Sequence, residues 1–267
     1  MSTNPYNYII YKSGSTYYSK RNDGTQVASG PTPDPVIQTT LNQTSPTGVG
    51  PGDIYVQSGI YNLSSSFTGF NIKSSTQLRL DTTALLSVPN GYSGNVFKLA
   101  TGTTNCIFDG GTIRELIPSG GNPQRRWTAI QLQATTDGVF FNKFMNTTIR
   151  DANIGIKLLV DGSNGWINAN SFQFLKMWRN NIFIDFDMTV PWPGGQVVGI
   201  YRNQFQNIEC QSGSNTGHGV RNIRHRSNIF IDVKIWDIPS SSITSNVHAN
   251  ADHTIIIGGI MTNNRFY

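Results

Sequence analysis

Carboxylates recur at matched places in the second half of this chain, and paired carboxylates are the means by which glycosidic bonds are hydrolysed. Four phrases of the form Asn-Ile-x-(Ile or Cys) begin at Asn153, Asn181, Asn207 and Asn228. Aligned, they put Gly155, Phe183, Glu209 and Phe230 two residues after the asparagine, and Lys157, Asp185, Gln211 and Asp232 four after. One outward face is therefore expected to carry Asp185, Asp187, Glu209 and Asp232 among Lys157, Phe183 and Phe230. Asp185 and Glu209 would sit on neighbouring repeats, offset by two residues and about 8 Å apart. That falls within the roughly 6.5–9.5 Å between the acid and base of inverting glycosidases. One group must protonate the leaving oxygen and the other activate water, roles that Asp and Glu both fill. The plainer alternative is a hydrated strand face on which Lys157 balances Asp185.

Lyase chemistry would instead need a Lys, Arg, His or Tyr base beside a uronic acid whose carboxylate is neutralised by Arg or Ca²⁺. Arg202, His218, Arg221, Arg224 and His225 are of the right type, although no spacing selects one of them. A cluster of exposed carboxylates could hold Ca²⁺ in that case; otherwise no cofactor or metal is expected. Trp127 and Trp192 lie on stretches that break the repeat, where their rings could stack on the apolar faces of sugars or lock the loops to the body. No phosphate-cradling glycine loop, zinc spacing or nucleophile elbow is present.

These side chains would be positioned by a solenoid. A second phrase, Asn-x-Phe, occurs at Asn142, Asn170 and Asn203 and again at Asn264, and up to Asn228 both phrases return at steps of roughly 20–35 residues. After each asparagine the apolar residues alternate, as in Ile154, Ile156, Leu158 and in Ile229, Ile231, Val233, Ile235. Period two means strand and excludes helical repeats, whose apolar positions come at three and four. Asparagine suits the corners because it tolerates left-handed backbone and its amide can bond neighbouring coils as a ladder. The expected fold is all-β, a single right-handed parallel β-helix of about eight coils. Ile156, Ile184, Cys210 and Ile231 form its expected inward column, with Asn153, Asn181, Asn207 and Asn228 at one corner.

Residues 1–30 read as a tyrosine-rich β-hairpin, with Asn22-Asp23-Gly24 as a turn. Residues 31–51 hold a linker and a short helix, begun by Asp34 as cap and Pro35 at its first position, which would close the open end of the first coil. The β-helix domain would span residues 52–267. Strands are expected at Phe70–Ile72, Leu78–Leu80, Ala84–Val88 and Val96–Leu99. Inserted loops are expected at Glu115–Trp127 and Asp187–Gly199, and in solenoids such insertions gather on one face. The chain stops in mid-phrase at Asn264-Arg-Phe-Tyr267, so either self-association, most simply a trimer, or a further domain is expected to cover that end.

The capping helix, the opening strand Gly52-x-Ile-x-Val-x-x-Gly-x-Tyr-x-Leu63 and the asparagine-marked coils together resemble the right-handed parallel β-helix superfamily. This is the pectin-lyase-like fold of polysaccharide lyases, polygalacturonases and phage tailspikes. Gly217-His218-Gly219 matches a motif of the polygalacturonase-type hydrolases, and the resemblance implies a substrate-orienting or acid-supporting role for His218. Their Asn-Thr-Asp, adjacent Asp pair and Arg-x-Lys have only Thr136-Asp137-Gly138 and Arg221-Asn-Ile-Arg224 to set against them. As a turn residue, His218 would need no such role.

Net charge is +5, but Lys and Arg are scattered, which points away from nucleic acid and toward an acidic polysaccharide or a solvated surface. The two cysteines, Cys106 and Cys210, fall about four coils or ~19 Å apart, too far for a disulfide, and are expected as free buried thiols. No apolar run is long enough for a membrane span, and the first residues lack a secretion signal. The function expected is recognition of a polysaccharide or surface glycan by a cell-surface or virion protein of tailspike type, placed outside the cell. A hydrolase or lyase using the carboxylate face is the alternative, and a spacer without ligand the third reading.

Overall fold

A computed structural model describes residues 6–43, 50–189, 199–211, 218–221, 227–236, 243–244 and 255–258, with residues 218–219, 221, 236, 243–244 and 255–257 described by backbone alone. It is a parallel β-helix. The first sheet stacks Gly52–Val56, Thr76–Leu80, Ile107–Asp109, Lys143–Met145 and Ser171–Gln173. The second stacks Gly59–Asn62, Ala84–Val88, Thr112–Glu115, Thr148–Arg150 and Lys176–Trp178. The long strands Gln204–Gln211 and Ile229–Trp236 run through both, joining the two sheets at their upper end. The third sheet stacks Phe70–Ile72, Asn95–Leu99, Thr128–Ala134, Ile154–Val160, Ile182–Met188 and His218–Arg221. Short strands Gly138–Phe140, Trp166–Asn168 and Gly199–Tyr201 form a further ladder on the return to the first sheet.

The four body strands expected from the sequence are all present, with one or two added residues at two of their starts. The N-terminal segment is larger than a hairpin. Tyr8–Ser13, Thr16–Arg21 and Gln26–Gly30 pair antiparallel, and Tyr8–Ser13 also pairs parallel with Gly52–Val56, extending the first sheet below its first coil. The helix is Pro33–Leu41, with Thr32 at the N-cap rather than Asp34 and Pro33 in the first turn. Asp34 is freed from capping and accepts the backbone N–H and hydroxyl of Ser64 at 2.9 and 2.7 Å, tying the helix to the first coil. Val36, Ile37 and Leu41 bury its apolar side in the core. Among the described residues no helix is long and apolar enough to cross a membrane.

The asparagine ladder exists, but in a different column from the one expected. Asn142, Asn170, Asn203 and Asn228 stack just before the first sheet, all buried. The Oδ1 of Asn170 accepts both the backbone N–H and the side-chain amide of Asn142, at 3.0 and 2.9 Å. Asn203 does the same for Asn170, and Asn228 for Asn203. At the lower end Asn142 receives the N–H of Cys106, which occupies the same register position. Asn153 and Asn181 stack elsewhere, beside the third sheet, and Asn207 is a corner residue with φ 52°. Two residues beyond the ladder comes a ring column. Phe108, Phe144, Phe172, Phe205 and Phe230 stack with centroids 4.9–5.0 Å apart, the coil spacing itself.

The expected inward column divides in the same way. Ile156 and Ile184 do stack, with Val220 above them, in the third sheet. Cys210 lies between Met177 and Ile235 in the second sheet, and Ile231 is half-buried beside Gln206 in the first. Both cysteines are free and buried. Burial pushes the Cys106 thiol up to about 11 and raises that of Cys210 as well. Since the thiolate is the reactive form, neither should react with iodoacetamide at pH 8 until the protein is unfolded. Mass spectrometry before and after denaturation checks this.

Asn170→Leu should strand the backbone and amide donors of Asn142 in the interior and cost about 3 kcal/mol or more. Chemical denaturation against the parent chain measures it, and a variant of unchanged stability would remove the ladder from its structural role.

Candidate functional site

Corners decide which residues face out. Between the first and second sheets the chain turns on residues with positive φ: the pair Gly110-Gly111, then single residues Asn146, Phe174, Asn207 and Asp232 in successive coils. Before the first sheet a second such column holds Ser75, Asn105, Phe141, Ala169, Arg202 and Ser227. The left-handed conformation costs an L-residue about 1–2 kcal/mol, least for Gly and Asn. A bulky ring there is a true outlier. Phe174 and Phe141 both accept that cost while remaining 52% and 60% exposed.

From Phe174 the chain alternates across the second sheet. Leu175 and Met177 are buried, while Phe174, Lys176 and Trp178 face out, Trp178 being 37% exposed. One strand thus presents an aromatic ring at each end and an ammonium between, the rings roughly 13 Å apart along the backbone. In the outward row through Lys176, Glu209 and Lys234 follow in register. Lys176 Nζ lies 4.0 Å from Glu209, and Lys234 Nζ 3.8 Å from Asp232. Phe174, Lys176, Asn207, Glu209, Asp232 and Lys234, with Leu175 at the floor, line a groove of about 380 Å³. In the next outward row Arg114, Arg150 and Trp178 stand in register. Arg150 lies over the Trp178 ring at 5.1 Å.

The expected pairing of Asp185 with Glu209 does not survive this geometry. Glu209 belongs to the second sheet, between Lys176 and Lys234. Asp185 belongs to the third, in register with Lys157 and Arg221, and is fully buried. The two counts started from asparagines that belong to different sheets, Asn181 beside the third and Asn207 at the corner into the second. Phe183 and Phe230, expected outside, are both in the core. Lys157 and Asp187 do meet, 2.9 Å apart on the third sheet, and so neutralise each other. Around them Gln131, Gln133, Thr135 and Asp161 bond among themselves. That face is a paired polar surface.

Trp127 is not a platform either: it is fully buried. Its Nε1 donates to Glu115 at 3.3 Å, and the same buried carboxylate accepts from Asn90 Nδ2 and from the backbone N–H of Gln124 and Arg125. Four donors on one carboxylate fold the inserted segment back on the body. Arg202 is exposed, at the corner before the first sheet and in the same column as Phe141. Trp192, Arg224 and His225 lie outside the described residues, and the side chains of His218 and Arg221 do too. Among the described residues no three His, Cys, Asp or Glu side chains converge as metal ligands would. What the sequence reading overlooked is Phe174-Leu-Lys-Met-Trp178, in which only Lys176 is polar, so that no alternation of polarity marks its outward side.

No protein family matches the sequence, and no curated protein matches it. Three solved structures are similar to it over most of its length. A provisionally assigned glycosyl hydrolase from Parabacteroides merdae is 13% identical, TM-score 0.43, with 85% of this chain and 90% of that one covered. The A-module of the Azotobacter vinelandii mannuronan C-5 epimerase AlgE4 is 15% identical, TM-score 0.26, covering 87% and 86%. The Yersinia enterocolitica family 28 exopolygalacturonase is 10% identical, TM-score 0.27, covering 94% and 84%.

Phe174→Asn places in the corner the residue already used at Asn146 and Asn207. The variant should be at least as stable as the parent, because left-handed strain is relieved and little buried area is lost. A fall of more than about 1 kcal/mol in denaturant unfolding would show that the ring is structural.

Proposed function

We propose that the outer face of the second sheet binds a polysaccharide, with Phe174 as its principal stacking platform. The observation that carries this is the ring itself: a half-exposed phenylalanine held at a corner where Gly or Asn would serve the fold better. Strain of that kind persists where the surroundings or a ligand make use of it. Trp178 supplies a second aromatic surface on the same strand. Lys176, Glu209, Asp232 and Lys234 supply donors and acceptors in the groove between coils, as sugar hydroxyls require. The setting anticipated from the sequence, a tailspike- or adhesin-type protein at a cell surface or virion, belongs to this proposal.

The groove also supports a hydrolytic reading, with Asp232 in place of Asp185 as the partner of Glu209. Asp232 stands in register with Asn207, one coil over and two residues back from Glu209, so their backbones are about 8 Å apart. Binding is nevertheless preferred. Both carboxylates are well exposed and each faces a lysine, whereas a general acid is normally prepared by burial away from cations.

Affinity electrophoresis against a panel of plant, algal and bacterial polysaccharides tests the reading. Phe174→Asn should weaken retention about tenfold while the fold is unchanged, and Glu209→Gln should change it little. Release of reducing ends by the parent, abolished in Glu209→Gln, would replace binding by hydrolysis. Retention that is indifferent to Phe174 would refute the site.

A further inference from the structure

One coil below the aromatic strand, the second sheet carries arginines that the fold leaves uncompensated. Arg114 and Arg150 stand side by side in register on adjacent parallel strands, so their outward side chains start about 4.8 Å apart. Among the described residues neither makes an ion pair, and Nε of Arg150 is buried without a hydrogen-bond partner. Asp151, next in the chain, is itself buried and committed to Arg179 Nη2 at 2.7 Å. Burial first, then the neighbouring charges of Arg179 and Arg114 against that of Asp151, holds Arg150 below its ordinary pKa. Trp178 fixes the remaining freedom, since the guanidinium of Arg150 lies over its ring.

We propose that Arg114 and Arg150 form an oxyanion subsite that takes a carboxylate or sulfate ester of the polysaccharide held on this face. This rests on the glycan reading given above and adds to it the charge of the ligand. Two adjacent guanidinia match an anion with several oxygens, and one such anion offsets the repulsion between them. Trp178 acts as a positioning residue, its ring holding the guanidinium of Arg150 in place beside it. The surroundings favour a sugar over a nucleic acid. Thr112 and Thr148 flank the arginines in the adjacent outward row, offering hydroxyl groups.

The test compares four polymers on the parent chain and on Arg114→Gln and Arg150→Gln: polygalacturonate, the same polymer fully methyl-esterified, dextran sulfate, and a mixed-sequence DNA duplex. At least one acidic glycan should bind about tenfold or more tightly than the esterified polymer. Both substitutions should erase that margin and leave binding of the esterified form intact. Which acidic glycan shows the margin identifies carboxylate or sulfate as the group recognised. Equal binding of acid and ester, or a preference that survives both substitutions, would overturn the subsite while leaving the glycan reading standing. DNA bound as tightly through the same arginines would overturn both, as would failure of every glycan to bind. Arg114 is exposed, so Arg114→Gln decides the matter should Arg150→Gln fold poorly.

Discussion

The coil stack depends on one interaction, the side-chain carbonyl of a buried asparagine accepting from the coil beneath it. Where the chain enters the first sheet it has just passed a left-handed residue, and the N–H that follows cannot join the ladder of strand bonds. Left unpaired in the interior, each such donor would cost about 1–3 kcal/mol. Asn170 removes that cost for Asn142, and its own amide bonds Val139 O and Asn168 O. The group is satisfied on both sides, which is why so polar a side chain can be buried. Each corner is therefore made by the coil above it, and a coil cannot close correctly until its successor is in place.

That dependence explains what was legible in the sequence. Period-two alternation and recurrent asparagines suffice for a parallel β-helix, because both follow from the coil geometry. Phase was harder. The tetrapeptide Asn-Ile-Phe-Ile occurs at 181 and at 228, yet the first copy opens a strand of the third sheet and the second opens the strand through the first and second. Asn228 belongs with Asn142, Asn170 and Asn203 because Phe230 continues the stack of Phe144, Phe172 and Phe205. Neither phrase separates the two copies, since Asn181-Ile-Phe183 fits Asn-x-Phe as well as Asn228-Ile-Phe230 does. Asn207, matched by the same phrase, turned out to be the left-handed corner within a strand.

The candidate site was lost for the same reason. Counting by twos from an asparagine is valid only until the next corner, where one left-handed residue exchanges inside for outside. Glu209 follows the corner at Asn207, whereas Asp185 follows a different turn, so their offsets of two and four residues from an asparagine carry no common spatial meaning. Counting from the corner residues instead gives Phe174, Lys176 and Trp178 directly. Trp127 illustrates a different limit. An aromatic on an inserted segment can serve a ligand or hold the segment, and Glu115, twelve positions earlier, decides for the second by accepting its indole N–H.

Register makes likes stack upon likes, with opposite consequences in different columns. Asparagine carries a donor and an acceptor, so a column of asparagines satisfies itself and stabilises the stack. Phenylalanine does the same at a centroid spacing close to the coil rise. Arginine carries donors only, so Arg114 and Arg150 cannot satisfy each other, and within the chain only the nearby charge of Asp151 and the ring of Trp178 act on the pair. The lysine and glutamate of the neighbouring row alternate in sign and need no such help: Lys176, Glu209, Lys234. Within one sheet, then, the row that is balanced and the row that is not lie side by side. The unbalanced row lies beside the aromatic strand, and for that reason the second sheet, rather than the third, is the face on which we place a charged ligand.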